Sequence, residues 1–159
     1  MEAAYLDVIA LVERLHRQFL ELMKLELDTQ GIEDVNNVQA LLLFNIGDLE
    51  MNIGELTLRG CYLGSNVSHY VKKLVEAGYL LQERSQRDRR FTLVRLSEKG
   101  RAVREKIAAM HERSVAALSE SRLTQQDLTN TSIALRRLDR FWTVTVDLGS
   151  RATQLLSAA

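Results

Sequence analysis

The chain has 159 residues, a formal net charge of zero, 46% hydrophobic and 26% charged residues, the make-up of a soluble globular protein rather than a disordered or membrane one. This length suits one ordinary domain and excludes two large ones, and no run approaches the about 18 uninterrupted apolar residues that a membrane span needs. One cysteine, Cys61, excludes an internal disulfide framework and a cysteine-rich zinc site, and His16, His69 and His111 are too scattered for a metal motif. No metal and no cofactor are therefore expected.

From Val8 the residues Leu11, Val12, Leu15, Phe19, Leu22 and Met23 recur at three- and four-residue steps, which predicts a first helix over about residues 3–28. The same stretch carries acids inside its apolar pattern and lacks the basic start of a secretion signal, so a cytoplasmic protein is expected. Gln30 to Ile32 break the pattern, and Asp34 or Asn36 can cap a second helix through Val38, Leu41, Leu42 and Phe44. A third helix fits Ile53 to Arg59, with Asn52 as its N-cap and Gly60 as a left-handed stop. A fourth starts near Ser65 and ends at Gly78, with Val67, Val71, Leu74 and Val75 on its inner face.

The period then changes to that of strands. Tyr79 to Arg84 and Phe91 to Leu96 flank the polar run Ser85-Gln86-Arg87-Asp88-Arg89-Arg90, which reads as a β-hairpin with a charged tip. Ser97 caps a helix of about 22 residues whose Val103, Ile107, Met110 and Leu118 face inward. Thr124 and Asp127 have the spacing of a capping box, and a last helix follows through Leu128, Leu135, Leu138 and Trp142. The absence of proline suits such uninterrupted helices. The expected fold is mostly α with a small β-hairpin wing: a winged helix-turn-helix over residues 33–100 within a single domain, flanked by helical regions at 1–30 and 101–159.

Charge is divided along the chain although it sums to zero. Residues 1–58 hold 3 Lys and Arg against 11 Asp and Glu, whereas residues 59–106 hold 12 against 5 and residues 107–159 hold 6 against 5. A middle segment of charge +7 is the electrostatic footprint expected for a polyanion such as duplex DNA. The helix after the turn can enter a major groove about 12 Å wide while the hairpin tip reaches the neighbouring backbone. Its polar positions are Ser65, Asn66, Ser68, His69, Lys72 and Lys73, short or cationic side chains of the kind that reach base edges and phosphates. At the tip, Arg87, Arg89 and Arg90 surround Asp88, an acid placed to pin one guanidinium. The apolar stripes Val8 to Met23 and Leu128 to Trp142 exceed what one winged module can cover, so pairing between two copies is expected, with packing within one chain as the alternative.

The stretches SNVSHYVKKLVEAGYL and RDRRFTLVRLSEKG, at their spacing, resemble the recognition helix and the wing of the MarR family of bacterial regulators, named for multiple antibiotic resistance. The resemblance covers nearly the whole chain. It implies a homodimer formed by the terminal helices that binds a pseudo-palindromic operator, usually as a repressor. Carried over by position, Ser65, Asn66, Ser68, His69 and Lys72 face the major groove, and Arg87 and Arg90 serve the wing, with Asp88 orienting Arg90. It also implies a small aromatic or anionic effector, for which Leu15, Phe19, Leu41, Phe44, Asn45, Leu58 and Tyr62 are candidate lining. Ser85 stands where the family often has Asp, Gly64 precedes the recognition helix, and the usual prolines are missing.

Cys61, in the turn before the recognition helix, is a candidate redox site if its thiolate is exposed and otherwise a small buried hydrophobe. No Gly-rich phosphate loop, nucleophile elbow or HExxH motif supports an enzyme. The competing reading is a winged-helix interaction adaptor without specific DNA binding; a basic wing would be unneeded there.

Overall fold

The computed structural model describes residues 1–60, 64–86 and 90–157, and the side chains of 1–59, 66–86 and 90–146. In chain order the elements are α1 (Glu2–Thr29), α2 (Asn37–Ile46), β1 (Met51–Asn52), α3 (Ile53–Gly60), α4 (Gly64–Glu76), β2 (Leu80–Arg84), β3 (Thr92–Leu96), α5 (Glu98–Ser119) and α6 (Gln125–Ser157). The fold is mostly α with a small antiparallel wing, as the periodicity predicts. Two compact units divide the chain at Glu112 and Arg113.

Local chemistry sets the helix ends. Asn36 and Gln39 form a reciprocal capping box at the start of α2, so Asn36, and not Asp34, is the cap. Asn52 accepts from the Glu55 amide at 2.9 Å while Glu55 accepts from the Asn52 amide at 2.8 Å, a second box that opens α3. Thr124 and Asp127 make the third, at α6. α4 stops in a Schellman motif: Tyr79 N–H donates to Leu74 O at 2.8 Å and Gly78 N–H to Val75 O at 3.0 Å, with Gly78 at φ 78°. Only a residue without Cβ takes that left-handed position cheaply.

One expectation lies outside the described residues and one is corrected. Gly60 is the last described residue of α3, and how the chain leaves the helix at 61–63, where a left-handed stop is expected to act, lies outside those described. The hairpin is part of a three-stranded sheet in the order β1-β3-β2. Met51 and Asn52 pair with Val94 and Leu93, two residues being too short to show any alternation. In the hairpin Leu80 stands opposite Leu96 and Arg84 opposite Thr92, and a further rung runs from Ser85 N–H to Phe91 O at 2.9 Å.

The core of the first unit joins every element it contains. Met23 and Leu27 of α1, Leu42, Leu43 and Ile46 of α2, Leu56 of α3, Val67, Val71 and Leu74 of α4, Leu80, Val94 and Leu96 of the sheet, and Val103, Ile107 and Met110 of α5 are all buried. Because side chains alternate along a strand, the opposite sheet face, with Leu81, Glu83, Leu93 and Arg95, is left outside. That face floors a groove of about 680 Å³ edged by Glu50, Asn52, Glu55 and Phe91. No helix among the described residues is long and apolar enough to cross a membrane.

Candidate nucleic-acid interface

α4 is amphipathic in the manner a reading helix requires. Val67, Val71 and Leu74 are at most 2% exposed, and on the other side Asn66, Ser68, His69, Lys72 and Lys73 are all exposed. The inner residues fix the helix on the lobe, and the outer ones form one continuous polar face. His69 lies beside Tyr70, ring centroids 6.0 Å apart. Lys72 makes a long, exposed contact of 3.9 Å with Glu76 one turn on, which contributes little to stability and leaves the ammonium accessible. Ser65 lies in the first turn of the same helix, although its side chain lies outside the described residues, as do Arg87, Asp88, Arg89, Cys61 and Tyr62. Arg90 is exposed at the end of the tip.

The root of the wing is tied to the rest of the lobe by hydrogen bonds. Ser97 Oγ lies 2.7 Å from Gly78 O and accepts from Gly100 N–H at 3.0 Å, which confirms Ser97 as the cap of α5. Tyr79 is buried, and its hydroxyl donates to Asp34 Oδ1 at 2.5 Å. Lys99 Nζ donates to Asp34 Oδ2 at 3.0 Å and sits 3.9 Å above the Tyr79 ring. The hydrogen bonds from Tyr79 and then Lys99 hold the Asp34 carboxyl below the usual aspartate range. Burial, and then the bond to Asp34, raises Tyr79. Hydrogen bonding to Asp34 also raises Lys99. This cluster went unread in the sequence, where 65 positions separate Asp34 from Lys99; the signal available was the Ser97 to Gly100 run directly after a hairpin.

The candidate effector lining divides. Phe19, Leu41 and Phe44 are half-buried against the core, and Asn45 is half-buried beside them in sequence. Leu15 and Leu58 stand exposed, at 59% and 81%, because α1 turns Met23 and Leu27 inward and α3 turns Leu56 inward. The space near Phe19 and Phe44 is occupied by His111, whose ring stacks on Phe19 at 5.7 Å and tilts against Phe44 at 4.9 Å. His16 is exposed, and among the described residues no cluster of His, Cys, Asp and Glu is arranged to hold a metal ion.

A helix-turn-helix with an outward polar face, closed by a β-hairpin wing, defines the DNA-binding lobe of a transcription regulator. The winged helix DNA-binding domain family matches residues 35–100. The exopolysaccharide II synthesis transcriptional activator ExpG of Rhizobium meliloti is 37% identical over 138 residues, covering 87% of this chain and 71% of that protein. FabT of Streptococcus pneumoniae, solved in complex with DNA, superposes with a TM-score of 0.71 at 17% identity, over 87% of this chain and 97% of that one. A mutant MarR from E. coli complexed with operator DNA gives 0.70 at 17% identity, over 85% and 95%. AbsC, a MarR family regulator from Streptomyces coelicolor, gives 0.70 at 21% identity, over 89% and 93%. The chain belongs to the MarR family of winged helix-turn-helix transcription regulators, and its family is one of regulators and not of enzymes.

Proposed function

We propose that this protein is a sequence-specific, cytoplasmic duplex-DNA-binding regulator that acts as a homodimer on a pseudo-palindromic operator. The observation that carries this reading is the division of α4 into a buried face and a polar one, Asn66, Ser68, His69, Lys72 and Lys73, inside the +7 segment. Asn66 is the residue type that pairs bidentately with adenine, and the lysines are suited to phosphates. Ser65 and the wing residues Arg87, Asp88, Arg89 and Arg90 complete the DNA-binding set, and Cys61 is its candidate redox position.

Dimerisation through residues 1–30 and 101–159 is supported by apolar stripes that remain exposed on each terminal helix. Val8, Leu15 and Leu22 repeat every seven residues on α1, and Leu128 and Leu135 do so on α6, where Phe141, Val144 and Val146 are exposed as well. A seven-residue apolar repeat is the signature of a helix that packs along another. A two-fold dimer sets two reading helices about 34 Å apart, one turn of DNA.

The 37% identical relative is named as an activator, which favours activation at the target promoters over the repression that the family resemblance implies. Release by a small aromatic or anionic effector completes the reading, with Phe19, Leu41, Phe44 and Asn45 as the half-buried part of its lining. The test is selection from a random duplex pool, with affinity for the winners followed against salt and the sedimentation mass measured alongside. An enriched palindrome with half-sites one turn apart and a dimeric mass support the proposal. Unselective binding would favour the adaptor reading. A promoter fusion carrying the selected site then reads the sign of regulation.

A further inference from the structure

The buried face of α4 seats the helix through close packing. The polar ties at its C-terminal end add the directional constraint. Lys99 Nζ donates to Ala77 O at 3.1 Å as well as to Asp34 at 3.0 Å. Tyr79 bonds Asp34 from the first residue after Gly78, and Ser97 Oγ reaches both Gly78 O and Tyr79 O, at 2.7 and 3.0 Å. Asp34 belongs to the loop between α1 and α2, Tyr79 to the junction of α4 and β2, and Lys99 to the first turn of α5. Both oxygens of one carboxylate are thus used to bind the end of the reading helix and the root of the wing to two other parts of the lobe. Charge-assisted bonds of this kind are the stronger and more directional ones.

We propose that Asp34 is a positioning residue for operator reading: through Tyr79 and Lys99 it sets the angle of α4 and the wing without touching DNA. This rests on the sequence-specific reading proposed above. An angular error of a few degrees at the end of α4 displaces Asn66 and His69 at its other end from base edges, while phosphate contacts by lysine and arginine tolerate the displacement. Losing Asp34 therefore lowers specific affinity far more than non-specific affinity. A purely structural defect would lower both in proportion to the folded fraction.

The experiment compares Asp34→Ala, Tyr79→Phe and Lys99→Arg, each in the full chain, on the selected operator and on a scrambled duplex at fixed salt. Expected are an about tenfold loss on the operator for Asp34→Ala, a smaller loss for Tyr79→Phe, less than about twofold change on the scrambled duplex, and near wild-type behaviour for Lys99→Arg, which keeps the cation. Equal loss on both duplexes, or none, overturns the proposal. A double-mutant cycle for Asp34→Ala and Lys99→Met, read by urea unfolding, tests the clamp apart from DNA. Absence of coupling overturns it even if the wild type selects no sequence, whereas unselective binding with intact coupling places the failure in the operator reading.

Discussion

Gly100 lies so close to the carbonyl of Tyr79 that a Cβ on it would stand 2.2 Å from that oxygen. The obstacle is backbone, already held by Ser97 N–H at 3.0 Å, and cannot swing away as a side chain could. Gly100→Ala should destabilise the lobe by about 2–3 kcal/mol, the scale of local strain and lost packing. Urea unfolding checks this: a midpoint within error of the wild type would mean that α5 can slide.

His111 fills the space between Phe19 and Phe44, so that one imidazole joins α1, α2 and α5. His111→Ala should cost about 1–3 kcal/mol through lost ring contacts and a cavity. His111→Phe, which keeps a ring, should recover most of it. Thermal unfolding of both variants decides, and equal losses would show that the ring contacts contribute nothing.

On DNA, the reading face and the phosphate contacts should separate. Lys73→Ala and Arg90→Ala should each weaken binding to every duplex and reduce the salt slope by about 0.9. Asn66→Ala should leave that slope unchanged and relax base preference at one position of each half-site. Titrations at several salt concentrations check both, and a slope unchanged by either cation would exclude it from the interface.

The Asp34 cluster predicts a pH dependence of defined sign. Asp34 is depressed in the folded chain, so its contribution is full above the ordinary aspartate value of 3.8 and is lost as pH falls through the lower, folded value. Lys99 and Tyr79 are raised, so their shares are full below their ordinary values of 10.5 and 10.0 and are lost as pH rises through the folded ones. The difference in urea midpoint between wild type and Asp34→Asn should therefore hold from about pH 5 to 9 and shrink at both ends. A difference that stays constant down to about pH 2 would remove Asp34 from the account.

Most of this architecture is legible in the chain because its signals are local. Apolar spacing gave the helices, alternation gave the hairpin, and Asn52, Ser97 and Thr124 announce caps that all form. What the sequence hides is distant or short. β1 is two residues whose strand partner, among the described residues, is β3. Asp34 looks like a cap, yet Asn36 takes that role and leaves Asp34 for Tyr79 and Lys99. His111 shows no partner in its own helix, since Phe19 and Phe44 lie far away in sequence. Leu15 and Leu58 are candidate lining through the family resemblance, and only the packed helices reveal that both side chains turn outward on this chain.

The ion pairs of the lobe re-sort the charge that the sequence had divided. Lys99 is matched by Asp34 at 3.0 Å, Arg104 by Asp48 at 3.0 Å, and Arg95 by Glu50 at 3.3 Å and Glu83 at 3.1 Å. Three of those acids come from the acidic first 58 residues and spend their charge on cations of the basic segment. On α4, Lys72 takes its acid from its own helix, Glu76 at 3.9 Å. A lobe whose first-segment acids are taken up by cations outside α4 feels a torque in the field of a duplex before it makes any contact. Encounters should arrive already turned with α4 towards the groove, so that the balanced net charge costs the protein little in its rate of finding DNA.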